Sequence, residues 1–220
     1  MQDRSSTNEP VPVPILYTTD ALPPAGEAEQ LLAWAHGRNP GAWADHSRVA
    51  ARAAKTIADR CGLETHRAYI SGLLHDIGRY EGVRQMHHII AGHRLLKSKN
   101  YGSRLAGICL SHSFPCRDIR EYFGENDCSP DETEEIIAFL AQTTYDDYDR
   151  LIQLCDALAT ADGVCLIDVR VMDVIRRYGF NELTPRKIEA NYANKAHFDK
   201  LCGMNIYDLF YDEIRNISFR

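Results

Sequence analysis

Gly72-Leu-Leu-His-Asp-Ile-Gly-Arg79 is the stretch whose reading decides the fold. With Ile70, its residues Leu73 and Leu74 make the apolar face of a helix, at the 3.6-residue period of an element packed on a core. At the end of that face an imidazole, His75, and a carboxylate, Asp76, stand side by side. Such groups together suit a hydrolytic divalent metal such as Mn, Fe, Co or Zn. One adjacent pair is weak evidence, so its weight depends on what the rest of the chain sets around it.

Three more histidines turn inward by the same periodicity. His46 is followed on its face by Ala50, Ala53 and Ile57, and His112 is preceded on its own by Leu105, Ile108 and Cys109. His88 shares a face with Ala91, Gly92 and Leu95, while His87, about 100° round the helix, looks toward Arg94 and Ser98. Asp156 interrupts the apolar run Leu151–Leu158, where a carboxylate has to be paired, capped or bound to a cation. A single inward histidine is ordinarily a core residue bonded to a carbonyl. The whole set points to a metal site.

The pattern predicts helices almost throughout. They run from Glu27 to His36 (closed by Gly37), Trp43 to Cys61 (closed by Gly62), His66 to Asp76 (stopped by Gly78), His87 to Lys99 and Gly102 to Ser113. Residues 116–135 carry eight acidic and two basic side chains and read as a solvated loop. Ser129 as N-cap, Pro130 at the first position and Glu132 at the third restart a helix. Further helices follow over Tyr145–Ala161, Leu166–Tyr178, from Thr184 (as N-cap before Pro185) to Leu201, and Asn205–Ile217. The expected organisation is all-α. Residues 1–26, with five of the nine prolines, form an extended arm whose Ile15-Leu16-Tyr17 packs on the body. Residues 27–163 form the metal-binding core, and 164–220 a C-terminal helical extension packed on it.

Composition narrows the function classes. With 45% hydrophobic and 25% charged residues and a mean hydropathy of -0.35, the 220-residue chain is an ordinary folded protein. A net charge of -6 without a Lys/Arg cluster argues against binding a nucleic acid polymer. No stretch approaches the ~18–20 apolar residues of a membrane span. Asp3 and Arg4, with no apolar run after them, argue against a signal peptide. The seven cysteines are odd in number and form no Cys-x-x-Cys, so reduced thiols and a cytoplasmic location are expected.

His46, His75-Asp76 and Asp156 resemble the H…HD…D signature of the HD-domain metal-dependent phosphohydrolases. Asp-His-Ser-x-Val-Ala (45–50), the 72–79 stretch and Cys-Asp-Ala-Leu-Ala (155–159) match in context. The resemblance covers about residues 27–163 and implies a core of about five helices with additional C-terminal helices here. It implies that His46, His75, Asp76 and Asp156 hold one divalent metal (Mn, Fe, Co, Ni, Zn or Mg). His88 and His112 look like the histidines that, with Asp76 as bridge, hold a second ion in some branches, the small bacterial HD hydrolases among them. The implied activity is hydrolysis of a nucleotide or other small phosphate mono- or diester by metal-activated water, with Asp76 and Arg79 catalytic. Arg79 stands where many members keep a basic residue near the phosphate. The alternatives are an HD-like di-iron oxygenase and a non-catalytic nucleotide-binding module.

Selectivity is expected from residues 80–87, 114–135 and 165–220, although the last segment, with nine basic and eight acidic side chains, shows no phosphate funnel. Arg170, Arg176 and Arg177 are expected at the surface, with facing the site as the alternative. His87, His93, Ser111 and Ser113 are candidate neighbours of the site. Tyr145-Asp146-Asp147-Tyr148-Asp149 reads as a solvated helix start whose carboxylates are also candidate ligand contacts. The oligomeric state is left open.

Overall fold

Helix α2 (Trp43–Cys61) is the axis of the structure, a computed structural model that describes residues 21–218. The Ile15-Leu16-Tyr17 part of the expected arm lies outside the described residues. Ala50, Ala51, Ala53, Ala54 and Ala58 are all fully buried on α2, and such small side chains let neighbouring backbones come close. Helix α3 (Thr65–Leu74) takes advantage of this at Gly72, where an added Cβ would lie 2.6 Å from the Cα of Ala51.

Among the described residues the fold is all-α, with ten α-helices and no strand. After α1 (Ala25–Arg38), α2 and α3 comes a 3-10 turn over Ile77–Glu81, then α4 (His87–Ser98) and α5 (Ser103–Ser111). Next are α6 (Pro130–Gln142), α7 (Asp147–Leu158), α8 (Ile167–Tyr178), α9 (Thr184–Cys202) and α10 (Tyr211–Ser218). One buried cluster joins α1 to α3, α4 and α5 through Leu32, Leu73, Leu96 and Cys109. A second joins α2 and α7 to the C-terminal helices through Ile57, Leu154, Phe198, Phe210 and Ile214. A third packs Ile90 and Leu110 on Phe139 of α6. No helix among the described residues is long and apolar enough to cross a membrane.

Several helix ends differ from expectation for local reasons. α1 runs through Gly37 and ends at Asn39, whose carboxamide donates to the carbonyl of Arg79. α3 stops at Leu74, so His75 caps it and Asp76 already lies beyond it. Gly78 therefore does not stop that helix. It sits inside the 3-10 turn, where its bare Cα lies so close to α4 that a Cβ would meet the carbonyl oxygen of His88 at 1.9 Å. α9 begins at Thr184 with Leu183 as N-cap, and the Thr184 hydroxyl bonds Asn181 instead. Ser129 and Glu132 form the expected capping box of α6, and Gly62 the left-handed end of α2.

Two further departures concern the loop and the cysteines. Residues 116–135 are not wholly solvated: a 3-10 turn over Ile119–Glu121 folds Glu121 inward until it is 1% exposed. Cys61 and Cys202 form a disulfide instead of staying reduced. α2 and α9 end side by side on left-handed glycines, Gly62 and Gly203, which brings the two Cα atoms to 4.6 Å.

The glycine contacts make a stability prediction. Gly78→Ala is expected to destabilise the protein by roughly 1–3 kcal/mol or more, because backbone and not a flexible side chain has to yield. Gly26→Ala, in α1 with nothing within 4 Å of the added methyl, is expected to be neutral or slightly stabilising. Urea denaturation of the two variants tests the contrast, and equal midpoints would refute the packing role of Gly78.

Candidate metal centre

The ends of five helices deliver the expected residues to one place. His46 comes from the first turn of α2, His75 caps α3, and Asp76 lies at the junction with the 3-10 turn. His88 is in the first turn of α4, His112 caps α5, and Asp156 lies in the last turn of α7. Gly72 on α2 seats α3 so that the His46 and His75 rings come within 5.3 Å. The Gly78 contact with α4 seats Asp76 beside His88. The row of rings continues from His75 to His112 at 5.0 Å and from His112 to His88 at 5.8 Å.

The hydrogen bonds of these rings determine which nitrogen faces inward. Nδ1 of His46 donates to the carbonyl of Ala159, that of His75 to Gly72, that of His88 to Gln85 and that of His112 to Cys109. A carbonyl can only accept, so each neutral ring spends its one hydrogen on backbone and points a lone pair from Nε2. Those nitrogens meet carboxylates: His88 Nε2 is 2.9 Å from Asp76 Oδ1, His112 Nε2 is 3.5 Å from it, and His46 Nε2 is 3.0 Å from Asp156 Oδ1. His75 Nε2 lies 4.0 Å from Asp76 Oδ2. Nε2 of His46, His75 and His88 and Oδ1 of Asp76 are buried without a hydrogen-bond partner.

The electrostatics keep His75, His88 and the two carboxylates in ligand form. Burial lowers the His75 pKa from 6.5 to about 4, and burial followed by the charge of Arg79 lowers that of His88, so both rings are neutral near pH 7. Burial alone would raise the pKa of Asp76. The charge of Arg79 outweighs it and holds the carboxyl well below the usual range. Asp156 is likewise opposed by burial yet held low, by the proximity of His46 at 3.0 Å and by the charge of Arg170.

Lone pairs facing carboxylates across short gaps, with no proton between them, are what a cation would satisfy. Within 4.8 Å of one another lie one set of donors on His46, His75 and Asp76, and another on Asp76, His88 and His112. The residues present therefore fit two divalent ions sharing Asp76. Asp156 stands at the edge of the first set, which it meets through His46.

Arg79 lies against Asp76, its Nε donating to Oδ2 at 2.6 Å. A cleft of about 750 Å³, its mouth included, opens from Asp76, Arg79, His112 and Asp156 toward the C-terminal helices. Arg170 and Arg177 of α8 line it, as does Lys187 of α9; Arg176 and Arg177 are exposed as expected, and only Arg170 is drawn in from the surface. Arg170 Nη2 lies 3.7 Å from Asp156 Oδ1. Tyr122 and Phe123, from the acidic segment, form part of the aromatic wall. Sequence reading names Arg79 as catalytic and leaves Arg170 and Arg177 as an alternative at the site, but it does not single out Lys187, Tyr122 or Phe123. The available signal was α8's spacing of Arg170, Val174 and Arg177 on one face.

Of the four candidate neighbours, Ser113 lines the cleft. His87 pairs with Glu81 and Glu132, His93 bonds the carbonyl of Ala106, and Ser111 bonds Asp149. The acidic start of α7 is occupied internally: Asp146 caps the helix, Asp147 pairs with His197 and Asp149 takes Ser111.

The HD domain family model matches residues 43–161, more than half of the chain. The chain belongs to the HD domain family, and with it to a superfamily of metal-dependent hydrolases. Comparison with curated proteins and with solved structures finds no match.

Burial of His75 predicts acid sensitivity. Its folded pKa lies below the ordinary value, so the unfolded chain binds the extra proton between pH 6.5 and about 4, and stability falls as pH falls through that window. Metal-free protein is expected to lose roughly 2–3 kcal/mol from this group between pH 7 and 4.5. His75→Ala is expected to flatten the dependence, and an unchanged slope of denaturation midpoint against pH would refute it.

Proposed function

We propose that this chain is a phosphohydrolase that cleaves a small phosphate mono- or diester, such as a nucleotide. In this reading His46, His75, Asp76 and Asp156 hold one divalent ion, and Asp76, His88 and His112 a second. One observation carries the proposal. Imidazole lone pairs and the shared Asp76 carboxylate converge beside a cleft that Asp76, His112 and Asp156 reach and whose walls supply Arg79 and Arg170. Ions so held supply Lewis-acid polarisation of a phosphoryl oxygen and activation of the attacking water.

The protein groups then have separate tasks. Asp76 is unsuited to act as a base, because Arg79 holds it ionised and poorly basic. Its role is to gather the two donor sets. Arg79 commits Nε to Asp76 and keeps its two Nη groups for phosphate oxygens, which suits a forked, charge-assisted contact. Arg170 is braced by Asp173 at 3.2 Å and offers a second cation across the cleft. The Nδ1–carbonyl bonds hold the four rings in the ligand tautomer, so little reorganisation accompanies binding. On this reading residues 27–163 carry the chemistry, while 164–220 complete the substrate cleft.

Two experiments test the proposal. With Mn, Fe, Co, Ni, Zn or Mg added back after chelation, the protein is expected to hydrolyse p-nitrophenyl phosphate, bis(p-nitrophenyl) phosphate or a nucleotide. Arg79→Ala should lose about 10–100-fold in kcat/KM, the worth of a charged hydrogen bond. Loss of ester cleavage in every metal, or O₂ consumption in its place, would overturn the reading. Elemental analysis should give about two ions per chain, falling toward one in His88→Ala or His112→Ala and toward none in Asp76→Ala. Unchanged stoichiometry would refute the ligand assignment.

A further inference from the structure

Helix α9 turns an unusual face inward. Thr184, Lys187, Asn191 and Asn194 are followed at helical spacing by Phe198 and Cys202, so one stripe changes from polar to apolar along the helix. Its polar half borders the cleft, and three of its four members have partners. Thr184 bonds Asn181, Lys187 donates to the carbonyls of Ser113 and Glu121, and Asn194 donates to Gln153. Asn191 is the exception. It is 5% exposed, it lines the cleft, and its carboxamide has no hydrogen-bond partner among the described residues.

Its polar atoms are reachable from the cleft and not sealed in the core, so they are free to bond what occupies it. The surroundings indicate what would satisfy them. Tyr122, Phe123, Val171 and Val174 give this chamber aromatic and apolar walls suited to a flat ring. Asp76 and Arg79 line the same cleft, and the Tyr122 ring lies 6.3 Å from that of His88. A carboxamide presents a donor and an acceptor side by side, which matches the edge of a heterocycle carrying the complementary pair.

We propose that Asn191 is a specificity-determining residue: it reads the hydrogen-bonding edge of a planar heterocycle on the substrate, held in the chamber that α8 and α9 build beside the metal residues. The inference rests on the phosphohydrolase reading for the placement of the phosphate, but its own test does not require turnover. Adenosine, guanosine, cytidine and uridine, which carry no phosphate to release, are titrated calorimetrically into the metal-loaded protein, with ribose as the control. At least one nucleoside is expected to bind where ribose does not. Asn191→Leu is expected to weaken that binding about tenfold. Asn191→Asp, similar in size but without the donor, is expected to change the order of preference among the four, which a merely structural residue would not do. The inference is overturned if no nucleoside binds more tightly than ribose, or if both variants keep the wild-type affinities and order. A protein that cleaves p-nitrophenyl phosphate yet binds no nucleoside keeps the hydrolase and loses this inference. One that binds nucleosides through Asn191 without cleaving esters does the reverse.

Discussion

Everything in the centre is arranged around one buried charge, the carboxylate of Asp76. It is 5% exposed and ionised, a state that burial opposes strongly. Arg79 at 2.6 Å compensates one oxygen. The other faces the Nε2 atoms of His88 and His112, which are acceptors like itself as long as their rings are neutral. In the metal-free protein that face holds like with like. A divalent ion is the partner that would satisfy this geometry, and its binding would then add to the stability of the fold.

Holding such an arrangement requires a frame that does not relax, and two glycines set it. The bare Cα of Gly72 brings α3 onto the alanines of α2, and that of Gly78 brings the 3-10 turn onto α4. The first contact sets His75 against His46, the second sets Asp76 against His88. The His-Asp pair thus lies between two backbone-to-backbone contacts, each too close for a Cβ. Interiors packed this tightly shift little in response to local repulsion, which is how donors can be kept 3–4 Å apart before an ion arrives.

This explains what could be read from sequence. The inward turn of His46, His88 and His112 and the outward turn of His87 follow from period alone, because each sits on a helix with a clear apolar stripe. Asp156 was legible as a carboxylate in an apolar run, and it found partners in His46 and Arg170. The role of Gly78 was not legible: a glycine after a helix reads as a stop, and only the third dimension reveals the strand of α4 backbone beneath it. The Cys61–Cys202 disulfide was equally hidden, since 141 residues of chain separate the partners and their meeting depends on how α2 and α9 end.

The cleft was hidden for a different reason. Reading a helix by its apolar stripe assumes that the buried face is apolar, and α9 breaks that assumption over its first half. Lys187, Asn191 and Asn194 face inward yet look, in sequence, like solvated positions. α8 misleads in the opposite sense: Arg170 and Arg177 pass for surface cations because nothing local marks the space they overlook. In both helices the departure from apolar burial lies at or next to the cleft wall, which Arg170, Arg177, Lys187 and Asn191 help to line. A polar stripe in line with an apolar one is therefore a readable signal. It marks the place where a helix leaves the core and begins to line a site, and in α9 that transition falls between Asn194, bonded to Gln153, and the fully buried Phe198.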